Sequence, residues 1–487
     1  MKKLSTQLSL ILVILFTGSV LAQEPGITWT KLYKPTCTGC IAAAEATDGV
    51  QLPDGGYLAA GWTMHPLVEP YLVRTNSSGD TLWTRCYSNE LTGFTPIPSV
   101  HVEIANDGNY FLSAGGLGEP GQGVGLLKIS TNGDLISKHY FTEGAYDTIY
   151  MACDMKVTPD GGVIITGNIT PGITIERYAF LLKFTADGTF DWYRKFGNNT
   201  TVTMGWTVEN ALDGGYVVCC SYDTIGFDQL MLLKTDNTGQ KQWSVVYPID
   251  TPHDIDDYPC ILRTNDNNYI ISAESAGDYF LMKADPSGSM IWFHTYGFDT
   301  YEQQPYCMAQ TTDGGYIITG YDDIGANDNK IYVVKTNSNG EEEWSKEIDV
   351  YFYEETYKIH QTLDNGYLLY GKTRTDIDGM DYLMMLKLGG ASAIEDQETN
   401  NNSAQIRNYP NPFTSNTTIE YCLPEGCQVS LKVYDVSGTE VMTLIDDKRS
   451  AGKHEVSIDP QDLPAGIYFY RLKAGEINSC GKMFVIK

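Results

Sequence analysis

The sequence predicts an all-β protein: a seven-bladed β-propeller closed by an N-terminal strand, followed by a small C-terminal β-sandwich. A nine-residue motif of the type TDGGYIITG occurs seven times in the 487 residues. A second motif follows most of the copies, and residues 408–487 alternate apolar and polar positions between turns. The repeat period is close to 50 residues, which is typical of propeller and other repeat architectures.

The first motif is a tight turn followed by a strand. Asp-Gly before an alternating apolar run is the strongest short-range hairpin signal, because the turn needs a residue with positive φ. Successive copies are separated by 53, 53, 53, 53, 47 and 51 residues. The Asp residues of the seven copies are Asp54, Asp107, Asp160, Asp213, Asp266, Asp313 and Asp364.

The second motif is also a strand, a polar turn and a strand. A basic residue stands five positions before a Gly, and a Trp stands four positions after that Gly. In the second unit Ser137 stands where the Trp is expected. Each unit therefore has four short strands with two open edges, and a ring of units around a channel buries the sheet faces. The basic residues are Arg74, Lys183, Lys234, Lys283 and Lys335, and the Trp residues are Trp83, Trp192, Trp243, Trp292 and Trp344.

The two ends of the repeat region predict how the ring closes. The last unit ends at residues 381–390 and lacks its fourth strand, whereas residues 26–33, with Trp29, look like that missing strand. We expect this strand to complete the seventh blade, since closure removes free edges. The Trp residues are expected to pack between neighbouring blades. Cys219 and Cys220 are adjacent in a predicted strand, so they should point to opposite faces and not both be core.

The N-terminal residues and the net charge of the chain limit its possible cellular roles. Residues 1–22 have a basic start at Lys2 and Lys3, an apolar segment and a small residue before the expected cut, which is typical of a signal peptide. The apolar segment is too short to span a bilayer, and we expect no membrane span. The formal net charge of −28 disfavours nucleic acid as a partner.

Three segments follow the leader: a propeller over residues 23–388, a polar linker over 389–407 and a domain over 408–487. Residues 26–388 resemble bacterial extracellular propellers with DGGY and KxxxxGxxxW elements. Residues 408–487 resemble the type A C-terminal sorting domain of proteins exported by the type IX secretion system. The matching elements are NYPNPF (408–413), VYDVSG (433–438), LPAGIYFYRL (463–472) and KMFVIK (482–487).

The resemblance to sorting domains implies a location and a partner. It implies a Bacteroidota-type bacterium, contact with the type IX secretion machinery, and a protein that is secreted or held on the outer cell surface. The residues that carry it are Asn408, Pro410, Asn411, Pro412, Phe413, Gly438, Gly466, Tyr468 and Lys487.

The predicted inter-blade segments are rich in aromatic and acidic residues. Propellers bind ligands at the channel mouth, and aromatic rings beside carboxylates suit a sugar or a cation. Ordinary exposed loop residues in an acidic protein are the alternative interpretation. The residues expected to share one face are Asp147, Asp256, Asp257, Tyr301, Glu302, Glu355 and Tyr357.

The sequence indicates no catalytic residue, no metal ligand and no cofactor. The seven His are scattered, and no HExxH or GxSxG motif is present. Residues 321–329 and 375–381 lack the spacing of an EF-hand loop, although calcium stays open. The favoured hypothesis is a binding module for glycan or protein rather than an enzyme. The alternatives are a carbohydrate-active hydrolase or lyase using carboxylates at the channel mouth, and a structural or adhesive surface protein without a small-molecule site.

Overall fold

A computed structural model gives the fold, and its described part is built from β-strands and turns. The chain divides into two compact units between residues 391 and 392. In the described residues no helix is long and apolar enough to cross a membrane. The structure describes residues 24–35, 41–65, 67–87, 95–117, 123–143, 148–171, 176–198, 202–223, 228–247, 258–297, 302–323, 329–351, 353–374, 380–389, 406–409, 416–423, 426–435, 439–459, 463–464, 466–475 and 477–485.

The first unit contains seven four-stranded antiparallel sheets in the described residues, here called blades one to seven. The first strands are β2 (Ile41–Gln51), β6 (Thr95–Ile104), β10 (Thr148–Val157), β14 (Val202–Asn210), β18 (Cys260–Arg263), β22 (Glu302–Gln310) and β26 (Tyr353–Gln361). The second strands are β3 (Tyr57–His65), β7 (Tyr110–Leu117), β11 (Val163–Pro171), β15 (Tyr216–Asp223), β19 (Tyr269–Ser275), β23 (Tyr316–Asp323) and β27 (Tyr367–Arg374). The third strands are β4 (Leu67–Thr75), β8 (Gly123–Ile129), β12 (Tyr178–Phe184), β16 (Asp228–Thr235), β20 (Asp278–Ala284), β24 (Asn329–Thr336) and β28 (Asp381–Leu388). The fourth strands are β5 (Thr81–Cys86), β9 (Leu135–Phe141), β13 (Phe190–Phe196), β17 (Lys241–Tyr247), β21 (Met290–Tyr296), β25 (Glu342–Ile348) and, for blade seven, β1 (Ile27–Tyr33).

The seven blades are arranged around a centre lined by their first strands. Each first strand contacts the first strands of the two neighbouring blades, and β26 of blade seven also contacts β2 of blade one. Radial stacking of this kind buries both faces of each sheet. The β-propeller predicted from the repeats is therefore confirmed.

The first and last strands of the propeller unit pair as the sequence predicts. Strand β1 pairs antiparallel with β28, with Thr30 opposite Leu386. The Gly389 N–H donates to the Gly26 carbonyl oxygen at 2.9 Å, next to this pair. The N-terminal strand thus covers the edge of blade seven.

The Trp residues pack between blades, as expected. Trp29 of blade seven lies 6.1 Å from the Tyr57 ring of blade one, measured between ring centroids. Trp192 and Tyr216, from blades three and four, repeat this contact at 5.9 Å. The Tyr is the one that ends DGGY, so the two sequence motifs meet across the blade interface.

The expectation for Cys219 and Cys220 is wrong. The two side chains do point to opposite faces of β15, and they belong to two different core clusters. Both are fully buried, however, because each face of the blade packs against another blade. Successive side chains of a propeller strand therefore point alternately into two different cores, and neither side faces the solvent.

The second unit contains two sheets around one core. The first sheet has the order β29 (Ile406–Tyr409), β30 (Thr417–Leu423), β33 (Gly452–Ile458), and the second has the order β32 (Glu440–Arg449), β31 (Cys427–Asp435), β34 (Gly466–Ala474), β35 (Ile477–Val485). Ile419 from the first sheet and Leu431 and Leu472 from the second are buried in the same cluster. This agrees with the predicted small β-sandwich.

Candidate functional site

The first strands carry a recurrent β-bulge that shapes the channel. In five of the first strands, the pairing with the second strand skips one residue, and this residue has the same position in each repeat. A bulge leaves that residue unpaired and re-aims its side chain. The extra residues are Thr47, Cys153, Trp206, Tyr306 and Tyr357. Three blades thus direct an aromatic side chain from the same position of their first strand.

The glycine that ends TDGGYIITG is required by this bulge. Gly371 pairs with Thr356, the residue before the extra Tyr357. A Cβ atom on Gly371 would lie 1.9 Å from the Glu355 carbonyl oxygen, and one on Gly320 would lie 1.8 Å from that of Gln304. The second strand therefore approaches the bulged backbone too closely for any side chain.

The residues one position after the bulge hold neighbouring blades together. The Asp48 Oδ2 atom accepts the Val102 N–H of the next blade at 3.0 Å. The Thr207 Oγ1 atom accepts the Ile261 N–H in the same way at 2.9 Å. These polar side chains therefore connect neighbouring blades through hydrogen bonds.

The three bulged aromatics and Tyr258 form a continuous row of rings, here called the aromatic arc: Trp206, Tyr258, Tyr306 and Tyr357. The ring centroids of Trp206 and Tyr258 are 4.8 Å apart, those of Tyr258 and Tyr306 5.1 Å, and those of Tyr306 and Tyr357 4.8 Å. The arc runs from blade four to blade seven. Tyr258, immediately before β18, is 46% exposed, so the arc is open to solvent there.

The arc ends at a buried carboxylate with four polar partners. Glu355 Oε1 accepts the Tyr353 hydroxyl and the Asn329 Nδ2, the latter at 3.0 Å. Glu355 Oε2 accepts the Tyr357 hydroxyl and forms an ion pair with the Lys372 Nζ at 2.9 Å. The last ring of the arc is therefore bonded directly to this carboxylate.

A second carboxyl group shares the same lysine. Glu45 Oε2, from β2 of blade one, lies 3.4 Å from the Lys372 Nζ. Glu45 and Glu355 are 7% and 6% exposed. We call them the carboxyl pair, and Lys372 links them across the interface between blades seven and one.

The environment shifts the pKa values of the two carboxyl groups in opposite directions. Burial raises the pKa of Glu45 to about 7, and the negative charge of Glu355 adds to the effect while Lys372 opposes it. Burial also acts on Glu355, but Lys372 and the hydroxyl donors Tyr353 and Tyr357 outweigh it and hold its pKa below the ordinary value. At neutral pH Glu355 is ionised, and Glu45 is divided between its acid and its carboxylate form.

A second cluster of charged side chains lies on the first strands of blades two to four. The Lys156 Nζ lies 3.3 Å from Glu103 Oε1 and 3.8 Å from Asp154 Oδ1. Burial raises the pKa of the neighbouring Glu209 to about 7. Within the described ranges, no group of three or more His, Cys, Asp or Glu is placed to hold a metal ion.

The structure brings two of the predicted ligand residues together. Glu355 and Tyr357 share the hydrogen bond described above. Glu302 begins β22, and its side chain lies outside the described part. Asp147, Asp256, Asp257 and Tyr301 also lie outside the described residues.

Sequence reasoning missed Glu45, Lys372, Trp206, Tyr258 and Tyr306. A signal existed for the bulged residues: each stands seven positions before the Asp of its DGGY-type turn, as Tyr306 does before Asp313. Aligning the repeats on their turns would have placed these side chains at one level of the channel. The same alignment places Glu45 and Glu355 at one repeat position, nine residues before Asp54 and Asp364. It does not pair Glu45 with Lys372, because that lysine is contributed by another blade.

The second unit indicates the cellular location of the protein. Tyr468 is buried in the core, and its hydroxyl donates to the Pro464 carbonyl oxygen at 2.9 Å. Residues 407–487 match the family described as secretion system C-terminal sorting domain. These residues are a type IX sorting domain. The protein is therefore exported to the cell surface or the medium, and it interacts with the type IX secretion machinery.

The other motif residues of the sorting domain have these places. Asn408 and Gly466 lie in β29 and β34. The remainder, namely Pro410, Asn411, Pro412, Phe413, Gly438 and Lys487, lie outside the described residues.

Solved structures similar to this chain are distant in sequence. A protein of unknown function from Bacteroides caccae is 11% identical at a TM-score of 0.37, covering 57% of this chain and 89% of its own. An α-L-arabinanase from Penicillium chrysogenum is 14% identical at 0.39, covering 61% and 93%. A fungal alcohol oxidase of the AA5 family is 9% identical at 0.47, covering 96% and 100%. No curated protein matches the chain in sequence.

Proposed function

We propose that this exported propeller binds a glycan along the aromatic arc. The observation that carries the proposal is the row of four rings from blade four to blade seven, three of which belong to bulged residues. Neighbouring rings are tilted by 55–63° to one another. Trp206 is 4% exposed, so the exposed ring of Tyr258 is where a sugar would stack. Ligand sites combine such apolar surfaces with a few fixed polar groups.

The polar groups of the site suit sugar hydroxyls. Gln304 Oε1 accepts the hydroxyls of Tyr306 and Tyr321, and this polar group lies beside the rings of the arc. Glu45 lies at the end of the arc and offers a carboxyl group that both donates and accepts at neutral pH. Tyr321 packs on Tyr306 at 5.6 Å and widens the aromatic surface.

The local charge favours a neutral glycan. The Glu355 carboxylate is balanced by Lys372, and Glu45 is partly protonated at neutral pH. A strongly basic ligand would compete with Lys372, which already lies 5.5 Å from the centre of the Tyr357 ring. A polyanionic ligand would be repelled by the large negative charge of the whole chain.

Binding of the full exported chain to arrayed neutral polysaccharides and oligosaccharides tests the proposal. We expect binding to at least one of them, and Tyr258→Ala to weaken it roughly two- to tenfold, since stacked rings contribute roughly 0.5–1.5 kcal/mol. Phe293→Ala is the matched control, because Phe293 is an exposed aromatic on β21, away from the arc. A blank array, or equal losses in the two variants, would contradict glycan binding at the arc.

A further inference from the structure

The carboxyl pair has a geometry that binding alone does not need. Glu45 and Glu355 contact the same Lys372 Nζ, at 3.4 and 2.9 Å, so their nearest oxygens are no more than about 6 Å apart. Retaining glycosidases hold two carboxyl groups about 5–5.5 Å apart, and inverting ones about 6.5–9.5 Å apart. This upper bound lies below the range of inverting enzymes and includes the separation of retaining ones.

We propose that Glu45 and Glu355 hydrolyse a glycosidic bond of the glycan bound on the aromatic arc, with retention of anomeric configuration. The inference rests on the proposed function, because the arc is what would bring the scissile bond to the pair. Tyr357 makes this connection, since its ring ends the arc and its hydroxyl donates to Glu355.

The two carboxyl groups are in the states that such a reaction needs. Glu355 is kept ionised by Lys372 and by the hydroxyls of Tyr353 and Tyr357, as a nucleophile requires. Glu45 keeps its proton up to about neutral pH, as a general acid requires. Two carboxyl groups whose environments drive their acidities apart are typical of an acid and nucleophile pair.

The chemical steps balance without any co-reactant except water. Glu45 donates its proton to the glycosidic oxygen, the bond from that oxygen to the anomeric carbon breaks, and the leaving sugar departs as an alcohol. Glu355 attacks the anomeric carbon and forms a glycosyl ester. The Glu45 carboxylate then takes a proton from water, whose oxygen attacks the same carbon and releases Glu355 as a carboxylate.

Lys372 is a positioning residue in this scheme. It contacts both carboxyl groups and lies under the rings of Tyr353 and Tyr357, at 5.8 and 5.5 Å from their centres. Its charge keeps Glu355 ionised when Glu45 is protonated. Lys372→Met should therefore raise the pKa of Glu355 and move the acidic limb of the pH–rate profile toward neutral pH.

The test uses the full exported chain with 2,4-dinitrophenyl glycosides of common neutral hexoses and pentoses, and with any polysaccharide that binds on the array. We expect hydrolysis of at least one substrate. Glu45→Gln should lower the rate on the polysaccharide roughly 10²–10⁴-fold. On the dinitrophenyl glycoside it should leave the first step, measured as the initial burst of dinitrophenol, within about tenfold, because this leaving group needs no acid, and it should slow the later turnover, because the second step lacks its base. Glu355→Gln should abolish both, and NMR should show the first product in the substrate's anomeric configuration.

Glu209→Gln is the control for folding. Glu209 is a channel carboxyl whose pKa is also raised to about 7, but it faces Lys156 rather than Lys372. Full activity in this variant together with loss in Glu45→Gln supports the proposal. Binding without hydrolysis of any substrate would overturn the hydrolytic role and leave glycan binding intact, whereas neither binding nor hydrolysis would overturn both. An inverted product would overturn the role of Glu355 as nucleophile.

Discussion

Lys234 and Asp213 join the two sequence motifs of blade four. The buried Lys234 Nζ lies 2.8 Å from both carboxylate oxygens of Asp213, in the DGGY turn, and 2.7 Å from the Thr235 carbonyl oxygen. The same pairing of a basic residue with the turn Asp occurs in the other six blades. The pairs are Arg74–Asp54, Lys128–Asp107, Lys183–Asp160, Lys283–Asp266, Lys335–Asp313 and Lys387–Asp364.

Removing the turn carboxylate should destabilise the propeller. Asp213→Ala leaves the Lys234 ammonium buried with only neutral partners, at a cost of about 1–3 kcal/mol. The measurement is the free energy of unfolding from urea denaturation. Asp191→Ala provides the control, because Asp191 is an exposed residue of the neighbouring blade. Equal stability of the two variants would show that the pair contributes nothing.

The stability of the propeller should fall as the pH rises from about 5 to 8. The pKa of Glu45 is about 7 in the folded protein and about 4.5 in the unfolded chain, so between these values the folded state holds a proton that the unfolded state has released. Stability then decreases with pH, by about 3 kcal/mol for this group. Urea denaturation at pH 5 and 8 should show a smaller fall in Glu45→Gln than in the unchanged protein. Parallel falls would contradict the raised pKa.

Gly371→Ala should disturb both the fold and the site. The added Cβ would meet the Glu355 carbonyl oxygen at 1.9 Å, and the bulge must shift to relieve the clash. We expect a loss of about 2–3 kcal/mol in unfolding free energy and weaker glycan binding. Gly26→Ala is the control, since nothing lies within 4 Å of its Cβ position. Unchanged stability and binding in Gly371→Ala would mean that the bulge does not depend on this glycine.

Deleting residues 24–33 should expose the edge of blade seven. Without β1, the β28 strand loses its outer partner, and an unpaired edge promotes association between chains. We expect oligomers or aggregates in size-exclusion chromatography. Trp29→Ala keeps the strand but removes its packing on Tyr57, and it should elute like the unchanged protein but have a lower melting temperature. A monomeric, stable deletion variant would contradict the role of β1.

The sequence predicted the features that depend on residues close along the chain. Asp-Gly turns are visible in the sequence because a tight turn needs a residue of positive φ, as Gly314 shows at 86°. The strand supplied by the N-terminus was predictable as well, since the last repeat lacks one strand and residues 26–33 have its pattern. The chemistry of the turns and the number of strands in each repeat were sufficient to predict these two features.

The site was only partly predictable because it is built from several blades. Glu355 and Tyr357 were noticed for their composition, as acidic and aromatic residues in an inter-blade segment. Glu45 and Lys372 are separated by more than 300 residues and meet only because blades one and seven are neighbours in the ring. The identity of Trp206 as a channel residue depends on the bulge, which shifts it out of the simple alternation of the strand.

The pairing of β1 with β28 has a consequence for how the protein is made. The strand β1 is made early and pairs with β28, which is made about 350 residues later, so the ring can be completed only once residue 388 has been synthesised. Such distant pairings are formed slowly because a long loop must close first. A chain that stops before residue 381 would lack both the completed blade and the C-terminal export signal. The strand that completes the ring is therefore made first, and the sorting domain at residues 407–487 follows it.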